Sequence, residues 1–247
     1  MNLQDFFTEN PKCAIAFSGG VDSAYLLYVG KKYGADIQAY YVRTPFQPNF
    51  EYADALTLCD KMNINLKTIE YDVLSERIIA DNPQNRCYYC KKSLFSQLTE
   101  QSQKDGYNLI IDGTNASDNA DDRPGMKALE ELSVRSPLRE CGLTKDKIRE
   151  LSRKAGLFVW NKPAYACLAA RIPTGTHITK ELLNRVEHSE DRLMSMGFSD
   201  FRVRVFDNCA RLQMKENQFI QAAEQRKCIS EKLRPYFDAV FLDMEVR

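Results

Sequence analysis

Cys13-Ala14-Ile15-Ala16-Phe17-Ser18-Gly19-Gly20-Val21-Asp22-Ser23-Ala24-Tyr25-Leu26-Leu27-Tyr28-Val29 is the stretch that decides the fold. Its first five residues form a short apolar run of the kind that makes a buried strand. Ser18-Gly19-Gly20 breaks that run, and from Ser23 onward the apolar residues follow helical spacing. The order is strand, tight turn, helix. Glycines placed directly after a buried strand expose consecutive backbone N–H groups, and the helix that follows adds its positive N-terminal end, so the turn suits a pyrophosphate. Ser18 and Ser23 add hydroxyl donors. The loop lacks the Gly-Lys-Ser/Thr ending whose lysine and hydroxyl handle a terminal phosphate and magnesium, which argues against hydrolysis at the terminal phosphate.

Working outward, Ile37–Val42 reads as a second strand, Tyr52–Met62 as a helix and Asn65–Tyr71 as a third strand. Lys91–Gln103 reads as a helix, Leu109–Gly113 as a buried strand ending in a turn, and Thr144–Ala155 as a helix stopped by Gly156. Strands alternating with helices predict an α/β fold with a parallel sheet covered by helices on both faces. The stretch Pro163–Gly175, with its prolines and glycine, reads as a linker. Residues 1–162 are therefore expected to form a nucleotide domain, and 163–247 a linker and a small α+β domain. In the latter, Lys180–Met196 and Gln218–Leu233 read as helices and Phe201–Phe206 as a strand that Ala210–Met214 can pair with.

A chain of 247 residues can bury a substantial core. Lys plus Arg equals Asp plus Glu at 34 each, so no global field recommends a nucleic-acid or membrane partner, and any anion site must be local. No apolar stretch approaches membrane-spanning length and the N-terminal residues do not resemble a signal peptide, so the expected location is the cytoplasm. Eight cysteines are then expected to stay reduced, for metal binding, nucleophilic chemistry or burial.

Cys87-Tyr88-Tyr89-Cys90 is placed just before the helix that begins at Lys91. Two thiolates at this spacing can hold one metal ion or two corners of a cluster. Cys167 is the third candidate. Lying between Lys162 and Arg171, it can also act as a nucleophile with a lowered pKa. Three cysteines without a fourth favour an iron–sulfur cluster over closed zinc, while zinc completed by His177 or His188, or unconnected thiols, remain the alternatives. Cys13, Cys59, Cys141, Cys209 and Cys228 show no ligand spacing and read as small buried hydrophobes.

Ser18-Gly19-Gly20-Val21-Asp22-Ser23 resembles the loop of the PP-loop ATP pyrophosphatases. The resemblance implies ATP cleaved between its α and β phosphates, AMP placed on a substrate oxygen, and Asp22 organising Mg2+ and the loop. Asp112-Gly113-Thr114-Asn115, at the end of a later strand, resembles that superfamily's second nucleotide-contacting turn, although on local sequence an Asx-type loop fits equally. Together with Arg86-Cys87-Tyr88-Tyr89-Cys90-Lys91, Asp122-Arg123-Pro124-Gly125, the Pro163–Gly175 segment and Arg202-Val203-Arg204, these motifs resemble the LarE family across nearly the whole chain. Its members are ATP-dependent sulfur transferases that make the nickel-pincer nucleotide.

That resemblance implies adenylylation of a carboxylate of pyridinium-3,5-biscarboxylic acid mononucleotide and its conversion to a thiocarboxylate. Some members sacrifice the sulfur of a cysteine matching Cys167. Others carry the pair matching Cys87 and Cys90 and hold a 4Fe-4S cluster with all three, and this sequence has all three. Arg202 and Arg204 alternate onto one face of their expected strand, where they can clamp a phosphate or carboxylate. The family match points to Glu190 near the substrate; without it, both arginines read as part of a solvated strand face and Glu190 as part of a solvated helix face. A homo-oligomer, a hexamer, is also implied, and the sulfur donor is not. Three rival readings share the nucleotide loop. An amide-forming synthetase is disfavoured by the cysteine triad, a tRNA thiolase by the balanced charge, and an iron–sulfur carrier would bind ATP without turnover.

Overall fold

The computed structural model of the protein describes residues 2–118 and 124–246. Its elements run α1 (Leu3–Glu9), β1 (Lys12–Ala16), α2 (Val21–Lys32), β2 (Asp36–Arg43), α3 (Asn49–Lys61), β3 (Leu66–Glu70), α4 (Arg77–Ala80), α5 (Arg86–Lys104) and β4 (Ile110–Ile111). They continue with α6 (Pro124–Glu131), α7 (Pro137–Glu140), α8 (Lys145–Lys154), α9 (Lys180–Ser195), β5 (Arg202–Phe206), β6 (Cys209–Gln213), α10 (Phe219–Glu224), α11 (Arg226–Leu233) and β7 (Val240–Leu242). The chain divides into two compact units, Met1–Val73 with Asn85–Lys162, and Leu74–Gln84 with Pro163–Arg247.

The first unit is built on a parallel sheet in the order β3-β2-β1-β4. The alternation of side chains along a strand explains why it must be covered twice. Cys13 and Ile15 of β1, with Ala39 and Tyr41 of β2, pack into one core with Leu26 and Leu27 of α2 and Ile148 of α8. Ala14 and Tyr40 point the other way and pack with Leu98 of α5. The α/β architecture expected from the sequence is thus the one observed. Chain order carries β1, β2 and β3 to one side, and β4 lies on the other side of β1. The order reverses at β1, and in such sheets ligands collect in the crevice outside the carboxyl ends of the two strands flanking the reversal. The turns after β1 and β4 are the two glycine motifs.

In the second unit β5 pairs antiparallel with β6, and β6 pairs parallel with β7. Leu183, Val186 and Leu193 of α9 are buried, as are Val203 and Val205 of β5. Thr179 caps α9, its hydroxyl accepting the Leu182 N–H at 3.1 Å. Leu74–Gln84, which the sequence-based division places with residues 1–162, groups instead with this unit. Backbone hydrogen bonding is the cause. The buried Asn82 donates its amide to the Pro173 carbonyl at 2.8 Å and accepts the Gly175 N–H at 2.8 Å, and Ile178 N–H donates to the Ala80 carbonyl at 2.7 Å.

Some local expectations are corrected. The helix expected from Lys91 begins at Arg86, because nothing between Asn85 and Lys91 breaks a helix, so Cys87 and Cys90 lie inside the helix rather than before it. Gln218–Leu233 is interrupted at Gln225. Of the five cysteines read as buried hydrophobes, Cys13 and Cys59 are buried, Cys141 and Cys209 are half-buried and Cys228 is exposed. Asp122 and Arg123 lie outside the described residues. Among the described residues no helix is long and apolar enough to cross a membrane.

Burial pushes the thiols of Cys13 and Cys59 up to about 12. Iodoacetamide at pH 8 under native conditions is therefore expected to modify the exposed Cys228 well before either of them, as read by peptide mass spectrometry. Labelling of Cys13 as fast as Cys228 would contradict the packing of β1.

Candidate active site

The turn after β1 is closed by its own serines. Ser18 N–H donates to Ser23 Oγ at 3.3 Å, the two hydroxyl oxygens stand 3.1 Å apart, and the Ser23 hydroxyl donates to the Gly20 carbonyl at 3.2 Å. Gly19 has φ of +71°, a conformation that L side chains rarely adopt, and a Cβ there would lie 3.1 Å from the Glu51 carbonyl oxygen. From the other side comes Gly113, just past β4. A Cβ at Gly113 would lie 2.9 Å from Ser23 N and 3.2 Å from Ser23 Cα, so only a glycine lets the two turns meet. Asp112 shapes this second turn, its carboxylate accepting from the Thr114 N–H at 3.2 Å and the Ser136 hydroxyl at 2.6 Å. The Asx-type hydrogen bonds and the close approach to Ser23 belong to one turn.

Asp22 lies in the first turn of α2. One carboxylate oxygen is paired with Lys145, and the other, Oδ1, is buried with no hydrogen-bond partner among the described residues. Burial outweighs the lysine, so the carboxyl is held above its ordinary value of 3.8. An orphaned acceptor beside a glycine turn and a helix N-terminus fits a site that receives a nucleotide phosphate together with a divalent cation. Lys145 was not singled out in the sequence, yet a signal existed. It is the first residue of α8, where a cation opposes the helix dipole, and that anomaly is resolved by Asp22, 123 residues away in the chain.

Cys87 and Cys90 stand near the start of α5, one turn apart, the former exposed and the latter half-buried. Arg86 is buried, stacks over the Phe46 ring at 5.9 Å and directs a guanidinium N–H toward Cys87 Sγ at 3.9 Å. A helix N-terminus with an arginine beside it suits anionic ligands. Cys167 belongs to the second unit. Within either unit, among the described residues, no group of three or more His, Cys, Asp and Glu side chains stands together as a metal site. Lys162, expected to act on Cys167, pairs with Asp54 at 2.6 Å.

The second unit gathers the other expected site residues around one buried ion pair. Arg171 and Glu190 are each 1% exposed. Arg171 Nε donates to Glu190 Oε1 at 2.9 Å and Nη2 to Oε2 at 3.1 Å. Glu190 also accepts the Val203 N–H at 2.9 Å and the Tyr165 hydroxyl, whose pKa is raised by burial and by Glu190 so that it stays a donor. Glu190 is thus the centre of a saturated polar network, which corrects the reading of a solvated helix face. Arg202 is 8% exposed and donates to the carbonyls of Phe201 at 2.7 Å and Ala164 at 3.1 Å. Arg204 donates to Gln213 Oε1 at 2.5 Å and the Ala170 carbonyl at 3.1 Å. Burial first, and then the Arg171 charge, lower the pKa of both arginines. This corner carries more positive charge than Glu190 offsets, which suits an anionic ligand.

Two substitutions test this geometry. Raising the folded pKa of Asp22 means its ionisation costs stability, a cost absent below pH 3.8 and present once pH exceeds the folded value. Asp22→Asn is expected to raise the melting temperature at pH 7, with the gain vanishing at low pH; a lower melting temperature at pH 7 would contradict it. Glu190→Ala strands the buried Arg171 charge and is expected to lose about 3–5 kcal/mol in urea denaturation, and a loss below about 1 kcal/mol would contradict the saturated pair.

No family model matches the chain. It is 36% identical over 99% of its length to an uncharacterized protein of Synechocystis, covering 92% of that protein. It is 32% identical over 83% of its length to the pyridinium-3,5-bisthiocarboxylic acid mononucleotide synthase of Lactiplantibacillus plantarum, covering 75% of it. A tRNA-specific 2-thiouridylase of Pseudothermotoga lettingae is 28% identical over 61% of the chain, with 54% of that protein covered. By the extent and identity of the second of these matches, the chain belongs to the LarE family of PP-loop proteins.

Proposed function

We propose that the protein is an ATP-dependent sulfur transferase that converts a carboxylate of pyridinium-3,5-biscarboxylic acid mononucleotide to a thiocarboxylate. The observation that carries this reading is the glycine cradle with its orphaned Asp22 oxygen, in a chain of the LarE family. The cradle has no lysine at its end to work on a terminal phosphate. A carboxylate is a poor electrophile because its charge is delocalised and its leaving group would be oxide, so activation must come first. A substrate carboxylate oxygen bonds to the α phosphorus of ATP, the bond from that phosphorus to the bridging oxygen breaks, and pyrophosphate leaves. A sulfur nucleophile then bonds to the acyl carbon, and AMP departs with the former carboxylate oxygen.

Ser18, Gly19, Gly20, Ser23 and Gly113 hold the phosphates, and Asp22 organises the magnesium. Arg202 and Arg204 receive the anionic groups of the mononucleotide, and Glu190 holds the arginine cluster together. Sulfur leaves from the cysteine centre, with Cys167 as its catalytic residue. Cys87, Cys90 and Cys167 would hold a 4Fe-4S cluster, which would supply the sulfur-carrying chemistry. The protein works in the cytoplasm as a homo-oligomer. The even charge balance supports a small-molecule substrate over the tRNA on which the thiouridylases act.

Incubation with ATP, Mg2+ and the dicarboxylate mononucleotide is expected to release AMP and pyrophosphate and to add the mass of sulfur in place of oxygen, read by mass spectrometry. Cys167→Ala is expected to keep pyrophosphate release within about twofold and to lose thiocarboxylate formation. Equal loss of both steps would contradict a separate sulfur-delivery role. Anaerobically purified protein is expected to carry about four irons per chain, and colourless protein with stoichiometric zinc would remove the cluster.

A further inference from the structure

The residues that hold Cys167 are more definite than anything the sequence suggests for it. Cys167 begins a short helical turn, Leu168–Arg171, and its carbonyl accepts the Ala170 N–H at 2.9 Å. Arg171, at the other end of that turn, folds its guanidinium back. Its Nη1 donates to the Ala166 carbonyl at 2.6 Å and to the Cys167 carbonyl at 3.2 Å. The remaining edge of the same guanidinium is taken by both oxygens of Glu190. Glu190 is tied in turn to the β5 backbone through the Val203 N–H. A planar fork fixed on one side by a carboxylate can hold only one orientation on the other.

We infer that Arg171 is the positioning residue of Cys167: pinned to Glu190, it fixes the two carbonyls that flank the cysteine and so sets where the sulfur stands. It touches no reacting atom and acts through the loop alone. The inference rests on the sulfur-delivery role proposed for Cys167. The alternative is that the pair only stabilises the fold, with the cysteine loop placed by other contacts. These contacts exist: Arg202 holds the Ala164 carbonyl and Arg204 the Ala170 carbonyl. Those contacts fall at Ala164 and Ala170, whereas Arg171 donates to the Ala166 and Cys167 carbonyls themselves. That is the distinction between a loop tethered at its ends and a cysteine fixed at its own backbone.

Arg171→Lys in the full chain separates the two. Lysine keeps a charge for Glu190 but cannot span the carboxylate and two carbonyls at once. Cluster-free protein is treated with iodoacetamide and the rate at the Cys167 peptide is followed by mass spectrometry, beside pyrophosphate and thiocarboxylate yields. Cys167 alkylation is expected to rise about tenfold through opening of the loop. Thiocarboxylate formation is expected to fall about a hundredfold while pyrophosphate release stays within about twofold. Unchanged alkylation overturns the inference, whatever happens to activity. If the variant does not fold, Arg171→Met with Glu190→Gln removes both charges together while leaving an acceptor for Val203, and the same alkylation rate decides. Should Cys167→Ala still form thiocarboxylate, the sulfur-delivery reading fails, and the alkylation rates still report whether Arg171 places the cysteine.

Discussion

Where any other residue carries a β-carbon, Gly113 carries a hydrogen, and at that point the backbone past β4 comes within contact of Ser23 at the start of α2. The first unit depends on this approach. β1 and β4 are neighbours in the sheet, the order reverses between them, and the two turns leave their carboxyl ends side by side. A side chain at 113 would push the turns apart. The sheet supplies the platform, and the glycines make the platform reactive. Asp112 fixes the turn by hydrogen bonds, and Gly113 lets the fixed turn close against α2.

Charge is handled in opposite ways in the two units. In the first, a half-buried carboxylate is left half-satisfied: Asp22 has Lys145 on one oxygen and nothing on the other among the described residues. Such an acceptor is a cost in the empty protein and an asset when a cation arrives, the pattern expected where stability is given up for function. In the second, the buried carboxylate is saturated. Glu190 receives four donors from Arg171, Tyr165 and Val203, and the surplus positive charge is left on Arg202 and Arg204. Saturation makes Glu190 a brace and leaves the arginines as the groups with charge to offer.

Much of the first unit was legible because its signals are local. An apolar run, a glycine pair and a helical spacing sit within seventeen consecutive residues at Cys13–Val29, and each has one physical reading. The helix that carries Cys87 and Cys90 starts at Arg86, earlier than its spacing suggests, because a missing breaker is a weaker signal than a present one. Pairings between distant residues were not legible. Lys145 meets Asp22, Asn82 captures Pro173 and Gly175, and Arg171 meets Glu190 across gaps that no periodicity spans. Lys145 at a helix start, and an arginine within Cys167-Leu168-Ala169-Ala170-Arg171-Ile172-Pro173, were out of place for their surroundings. Out-of-place charges of this kind mark where a tertiary partner must exist.

On the proposed function, the cradle presents the α phosphorus of ATP to a carboxylate oxygen. Substrate dicarboxylate enriched with 18O in its carboxyl groups tests it most directly, with the AMP formed during turnover analysed by mass spectrometry. The account predicts one 18O atom in the phosphate of AMP for each thiocarboxylate made. AMP without the label, or ADP and inorganic phosphate as the nucleotide products, would contradict it.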